Sequence, residues 1–230
     1  MRPEQTLAWM ADGTRRLLAD QAALSDEELT APTVLPGWSR RYVLSHVAAN
    51  ADALRNLVHW ASTGEERRMY VSSEQREADI AKGALLPVAE LRAWIESSSQ
   101  ALAADLDALP EPAWDAKIIT AQGLTRSASE IPWMRVREVY IHAVDLDAGT
   151  RWRDLPADFL AVLLDDVTAR RSVKGGCPSL AVAATDTGHT WEIAGTGSAI
   201  PVSAPLADLA GYLTGRTPGL NDFPALPPWL

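Results

Sequence analysis

The run from Ile131 to Leu146 constrains the fold of this chain more than any other stretch. On a helical wheel at 100° per residue, Val136, Tyr140, Ile141, Ala143 and Val144 cover most of the circumference, while Arg135, Glu138, His142 and Asp145 gather on one face. A helix that is apolar over most of its surface must be packed on nearly all sides, which calls for a bundle of helices around it. Glu138 and His142 lie one turn apart on the polar face, the spacing at which two side chains can share one metal ion. A solvated, ion-paired stripe would show the same residue types, whereas a buried stripe would need internal partners. The residues alone leave both readings open.

His46 is the third residue of interest. On the helix that begins near Arg40, the polar arc carries Arg41, Ser45, Asp52, Arg55, Asn56 and His59, and the opposite side carries Val43, His46, Asn50, Ala53 and Leu57. His46 is therefore expected to face inward, where its ring nitrogens need partners. The simpler explanation is a core histidine bonded to a backbone carbonyl or to Asn50. The other is a metal ion held by two residues of one helix and one of its neighbour, as helical bundles often build such sites.

Helical periodicity and caps place the remaining elements. Residues 4–22 read as an amphipathic helix, and Ser25-Asp26-Glu27-Glu28 as a capping box that starts only a short turn before Pro32 and Pro36. Ser39 looks like the N-cap of a long helix to about Ser62, stopped by Gly64. A polar stretch follows over 64–79, then a helix from Pro87 with Leu91, Trp94, Ile95, Leu102 and Leu106 in register. Residues 111–126 look irregular, with extended pieces near Ile118-Ile119. A second capping box, Ser127 to Glu130, opens the key helix, with Gly149 as its C′ residue. Beyond Gly149 the texture changes: a helix over about 157–172, two strands (179–185 and 189–193) about an Asp186-Thr187-Gly188 turn, and a last helix over 204–214 capped by Ser203. The expected fold class is α+β: residues 1–150 form a bundle with four main helices, and residues 151–230 a small α/β domain.

Composition narrows the function. The net charge of −9 opposes binding to nucleic acid or anionic lipid, although a local Arg can still hold a small anionic substrate. The single cysteine, Cys177, allows neither an internal disulfide nor a cysteine-based zinc cage, and no sequence neighbour activates it. No apolar run approaches a membrane span and the N-terminus lacks a signal-peptide core, so a soluble, cytoplasmic protein is expected. The nine tryptophans, several beside Pro or Gly, read as packing anchors at element ends. His189 sits at a turn and reads as a surface residue. The glycine pairs lack the spacing of a phosphate loop.

Pro36-Gly37-Trp38-Ser39 followed by Val43-Leu44-Ser45-His46-Val47, and later Arg137-Glu138 through His142 to Asp145-Leu146, resembles the metal-site signature of the mycothiol-dependent maleylpyruvate isomerases. These belong to the wider DinB-like superfamily of helical-bundle metalloproteins. The resemblance covers the whole chain, including a C-terminal unit similar to a small sterol-carrier-protein-like domain, and Ile131-Pro132-Trp133-Met134 extends it toward the isomerase itself. It implies that His46, Glu138 and His142 hold a divalent metal, zinc by preference, with open positions for water or the thiol of mycothiol. It also implies that Arg216, in Leu213-Thr214-Gly215-Arg216, reaches the substrate. An Arg at a helix C-terminus has an ordinary explanation as well, through the helix dipole.

The implied reaction is cis–trans isomerisation of maleylpyruvate to fumarylpyruvate, a step of aromatic degradation, by thiolate addition, bond rotation and elimination. Within the same superfamily, a mycothiol S-transferase acting on another electrophile remains an alternative, as does thiol-independent metal hydrolysis. From another class comes a non-enzymatic binding module that carries an apolar ligand in its C-terminal unit. The residues do not identify the oligomeric state or the groups that recognise the thiol.

Overall fold

A computed structural model describes residues 2–229 and divides the chain into two units, one ending at Gly149 and the other beginning at Thr150. The first unit contains helices α1 (Glu4–Ala23), α2 (Arg40–Thr63), α3 (Ser73–Gly83) and α4 (Val88–Asp107). A short antiparallel pair follows, β1 (Lys117–Ile119) with β2 (Thr125–Ser127), and then α5 (Ile131–Asp145). Leu17 of α1, Leu44 and Val47 of α2, Leu91 and Ile95 of α4, and Val139 and Ala143 of α5 meet in one core. Each such Leu, Ile or Val contributes roughly 1.5–3 kcal/mol by leaving water.

Local chemistry explains most helix ends. Ser25 and Glu28 form the expected reciprocal box: the Glu28 N–H donates to Ser25 Oγ and the Ser25 N–H to Glu28 Oε2. Ser39 Oγ accepts from the Tyr42 N–H at the start of α2, and Gly64 closes it at φ +78°. Arginines from other helices take up carbonyls left over at helix ends. Arg40 Nε donates to Leu146 O at 2.6 Å, beyond α5, and Arg92 Nη2 to Leu24 O at 2.6 Å, beyond α1.

Three expectations for this unit need correction. The polar stretch 64–79 contains the start of α3, capped by Ser72, whose Oγ accepts from the Gln75 N–H. With only Ile80 and Gly83 buried, α3 lacks an apolar stripe for periodicity to detect. The box at Ser127–Glu130 does not form, because the Ser127 hydroxyl donates to Trp114 O at 2.7 Å instead. Finally, α5 ends at Asp145 rather than near Gly149, and Asp147 takes the left-handed conformation at φ +50°.

The second unit contains α6 (Ala157–Lys174), β3 (Pro178–Ala184), β4 (Thr190–Ile193), β5 (Thr196–Ala204) and α7 (Leu206–Leu213). Its sheet has the order β4-β3-β5, with β4 antiparallel and β5 parallel to β3. Ser203, expected to cap the last helix, is a residue of β5 paired with Ala183. The N-terminus of α7 is instead capped by Asp186, whose Oδ1 accepts from the Leu206 N–H at 2.9 Å. Cys177 is buried and has a cation nearby after all, with Arg171 Nη1 3.5 Å from its Sγ.

The α1–α5 contact is close enough to require glycine. A Cβ on Gly13 would lie 2.6 Å from Val139 Cγ2 and 3.2 Å from the Tyr140 ring. The Tyr140 hydroxyl donates to Asp12 Oδ2 at 2.9 Å, which fixes the two helices beside that point. Overpacking of this kind costs about 1–3 kcal/mol, and the gain of about 1 kcal/mol from replacing a helical glycine offsets only part of it. Gly13→Ala is therefore expected to lower the urea midpoint of unfolding; an unchanged or raised midpoint would contradict this packing.

Candidate functional site

The polar face of α5 points into the bundle. Arg135, His142 and Asp145 are 1%, 7% and 0% exposed, and Glu138 keeps 22% of its side chain open. This settles the ambiguity of the stripe: it is buried, with partners on neighbouring helices and within α5 itself. His46 of α2, 6% exposed, places Nε2 2.8 Å from Glu138 Oε2, and His142 Nε2 is 3.3 Å from the same oxygen. The donor atoms of His46, Glu138 and His142 all lie within 4.8 Å of one another. Two imidazole nitrogens and one carboxylate oxygen on a common point suit a divalent transition cation.

The surroundings of the cluster fix its orientation. Asp145 Oδ2 is 2.8 Å from His142 Nδ1, so Nδ1 carries a proton and the ring is turned with its Nε2 toward Glu138. On His46 the opposite tautomer is favoured, because Arg76 Nη2 donates to Nδ1 at 3.2 Å and an Arg can only donate. The Trp38 ring lies 5.2 Å from the His46 ring and 6.1 Å from the His142 ring, and so lines one side of the cluster with apolar surface. Trp38 thus does more than anchor an element end.

Electrostatics follow from this packing. Burial pushes Glu138 up, but the charge and hydrogen bonds of the two histidines outweigh it and hold the carboxyl well below its usual range. Burial dominates at His46 and lowers its pKa despite Glu138. At His142 burial also lowers the pKa, but Asp145 and Glu138 together reverse the sign and raise it. The cluster is a carboxylate between two unequal imidazoles.

Arg135 holds the three helices in this arrangement. Its Nη1 donates to Val47 O at 2.6 Å and to Asn50 Oδ1 at 3.0 Å, and its Nη2 donates to Ser99 Oγ at 3.0 Å. One guanidinium so joins α5 to α2 and α4. Burial brings its pKa down to about 10, partly offset by the charge of Glu138, and it stays protonated at neutral pH. Asn50 therefore serves Arg135 rather than His46. Ser45, read as a polar-arc residue, is fully buried and donates to Ile80 O at 2.7 Å, because α3 covers that side of α2.

Arg216 belongs to the second unit. It follows Gly215 (φ +78°) at the end of α7, and its Nη1 donates to Thr214 O at 2.9 Å. His189 is exposed and stacks on Trp191 at 5.8 Å. Arg76 and Tyr70, both beside the cluster, escaped the sequence reading because they lie in the stretch 64–79, read only as polar; the charge of Glu138 reaches the Tyr70 hydroxyl.

Comparison with known proteins bears on this cluster. The model of the mycothiol maleylpyruvate isomerase N-terminal domain matches residues 10–147, a span that contains His46, Glu138 and His142. The chain belongs to that family. Two crystal structures, of the mycothiol-dependent maleylpyruvate isomerase and of a histidine-to-alanine variant of it, superpose with a TM-score of 0.94 at 35% identity, covering 100% of this chain and 98% of theirs. YfiT from Bacillus subtilis, with an unusual four-helix bundle topology, matches 64% of this chain and 86% of its own at 14% identity and a TM-score of 0.53, which speaks for the fold of the bundle. No curated protein matches the chain. Among the described residues no helix is long and apolar enough to cross a membrane.

Replacing Arg135 by Met would leave Val47 O, Asn50 and Ser99 without their buried donor. Each stranded group costs roughly 1–3 kcal/mol. Arg135→Met is expected to lower unfolding stability by about that much or more, read by chemical denaturation with the fold checked by circular dichroism. Stability equal to the parent would show that this arginine is not the tie between the helices.

Proposed function

We propose that the chain is a metal- and mycothiol-dependent isomerase that converts maleylpyruvate to fumarylpyruvate. The observation that carries this reading is the convergence of His46, Glu138 and His142, with donor atoms within 4.8 Å, in a family named for that activity. The full-length likeness to the mycothiol-dependent maleylpyruvate isomerase, at 35% identity, supports it.

In this reading the three side chains hold a divalent cation, zinc by preference for the N,N,O set. A cation in such a site, together with a low-molecular-weight thiol, supplies a thiolate at neutral pH whose reversible addition to a conjugated cis double bond frees it to rotate. The protein contributes orientation and charge. Asp145 keeps the His142 proton on Nδ1, leaving Nε2 for coordination. Coordination by His46 Nε2 calls for the proton on Nδ1, so Arg76 has to release that ring at the same time. Trp38 keeps water from one side of the cluster. Arg216 is assigned to a substrate carboxylate, where a bidentate guanidinium also stabilises the enolate charge that develops during addition.

The direct experiment adds mycothiol and maleylpyruvate to zinc-loaded protein and follows the ultraviolet change of the cis-to-trans conversion. Conversion that does not depend on the thiol would favour metal hydrolysis or another chemistry over this reading. Two variants separate the roles. His46→Ala is expected to retain less than about 0.1 equivalent of metal after reconstitution and to lose conversion; full metal content and activity would remove His46 from the site. Arg216→Ala is expected to keep its metal while turnover falls roughly 10²–10³-fold. Turnover at the parent level would reduce Arg216 to a helix cap.

A further inference from the structure

Arg171 is a buried cation of the second unit that the proposed chemistry does not use. It is 1% exposed and lies in the last turn of α6. Its Nε and Nη2 both donate to Leu213 O, at 2.9 and 2.8 Å, and its Nη1 donates to Pro227 O at 2.8 Å. A guanidinium withdrawn from water gives up its hydration, and only well-placed acceptors make up for that. Its planar fork also fixes the direction of an acceptor in a way that a single donor cannot.

What the fork holds is the turn that carries Arg216. Leu213 is the last residue of α7, and its carbonyl finds no acceptor's partner within the helix. The chain then makes a Schellman turn: the Arg216 N–H donates to Gly211 O at 2.8 Å and the Gly215 N–H to Tyr212 O at 2.9 Å, about Gly215 at φ +78°. Those bonds occupy Gly211 O and Tyr212 O, and Arg171 takes Leu213 O. The Arg216 side chain returns to Thr214 O, so the two carbonyls just before Gly215 are each held by a guanidinium. A Cβ on Gly211 would lie 2.5 Å from Thr217 Oγ1, so the residue after Arg216 is packed against α7 as well. The tail is strapped to the same place, since the Tyr212 hydroxyl donates to Pro224 O at 2.7 Å and Arg171 reaches Pro227 O.

We propose that Arg171 is a positioning residue for Arg216: its fork on Leu213 O holds the end of α7 so that the Arg216 side chain leaves the turn in one direction. The inference rests on the isomerase reading for the task of Arg216, which there meets a substrate carboxylate. A misplacement of about 1 Å in such a group costs on the order of 10²-fold in rate. A turn held from the buried side limits that loss. If Arg171 only tied the second unit together, its removal would cost the same whether or not Arg216 were present.

The test is a double-mutant cycle on thiol-dependent isomerisation by the zinc-loaded, full-length protein, with Arg171→Lys, Arg216→Ala and the two together. Arg171→Lys keeps the charge and loses the fork. It is expected to retain its zinc and to lower kcat/KM roughly ten-fold or more. In the Arg216→Ala background the same change should cost less than about two-fold. Equal factors in the two backgrounds, or parent-level kcat/KM in Arg171→Lys, would overturn the proposal. Amide hydrogen exchange supplies a readout without activity. The Gly215, Arg216 and Thr217 amides should exchange about ten-fold faster or more in Arg171→Lys, with those of β3 unchanged. Unaltered exchange at the turn, or an equal rise throughout β3, would also overturn it. Arg171→Gln, with one amide donor and no charge, is read in the same way and decides the matter if a buried lysine prevents folding. If the parent isomerises and exchange at the turn is unaltered, this assignment fails and the isomerase reading stands. If the parent shows no thiol-dependent isomerisation, that reading fails, while exchange still decides whether Arg171 holds the turn.

Discussion

A carboxylate cannot be withdrawn from water unless positive charge or hydrogen-bond donors go with it. Glu138 satisfies that condition through two imidazoles that meet on one of its oxygens, and much of the first unit follows from it. His46 has to come from α2 and His142 from the next turn of α5, so the two helices are locked in both rotation and register. Arg135 then repeats the connection one turn earlier, where its donors bind a carbonyl and an amide of α2 and a hydroxyl of α4. The apolar core fills the space that these polar links leave. Polar groups buried and paired in this way set one arrangement of the helices, whereas apolar packing alone tolerates several.

The cluster was legible in part. The wheel put His46 on the inward side of α2, and the apolar circumference of α5 argued for burial. It could not decide whether the stripe faced water, since that depends on which helices lie against it. Arg76 and Tyr70 could not be read at all, and Trp38 entered only within the motif that carries the resemblance. They reach the site from a loop, a short helix and a turn, where no periodicity ties a residue to a face. The misreading of Ser45 has the same cause: α3 covers a side of α2 that looks solvent-facing in isolation.

Caps were legible where the sequence neighbour is the partner and failed where the partner is distant. Ser25 with Glu28 and Ser39 with Tyr42 are local, and both form. Ser127 has the right residues after it, yet its hydroxyl goes to Trp114, thirteen positions back in the chain. Likewise, β5 went unread and its Ser203 was taken for a helix cap, because the partner of that strand is β3, with a hairpin strand between them in sequence. Asp186, chosen as a turn residue, turned out to cap α7 as well. In each case a tertiary contact overrode a reasonable local pattern.

The thin anchoring of α3 has a dynamic consequence. Its buried set is Ile80 and Gly83, so releasing it from the bundle gives up little apolar contact compared with releasing α2 or α5. Segments of this kind open locally at free energies well below that of global unfolding. Arg76 travels with α3, and it is the residue bonded to the outer nitrogen of His46. The outer side of the imidazole is therefore covered by the helix of the unit with the fewest buried residues, and local opening of α3 would uncover it without moving the four long helices.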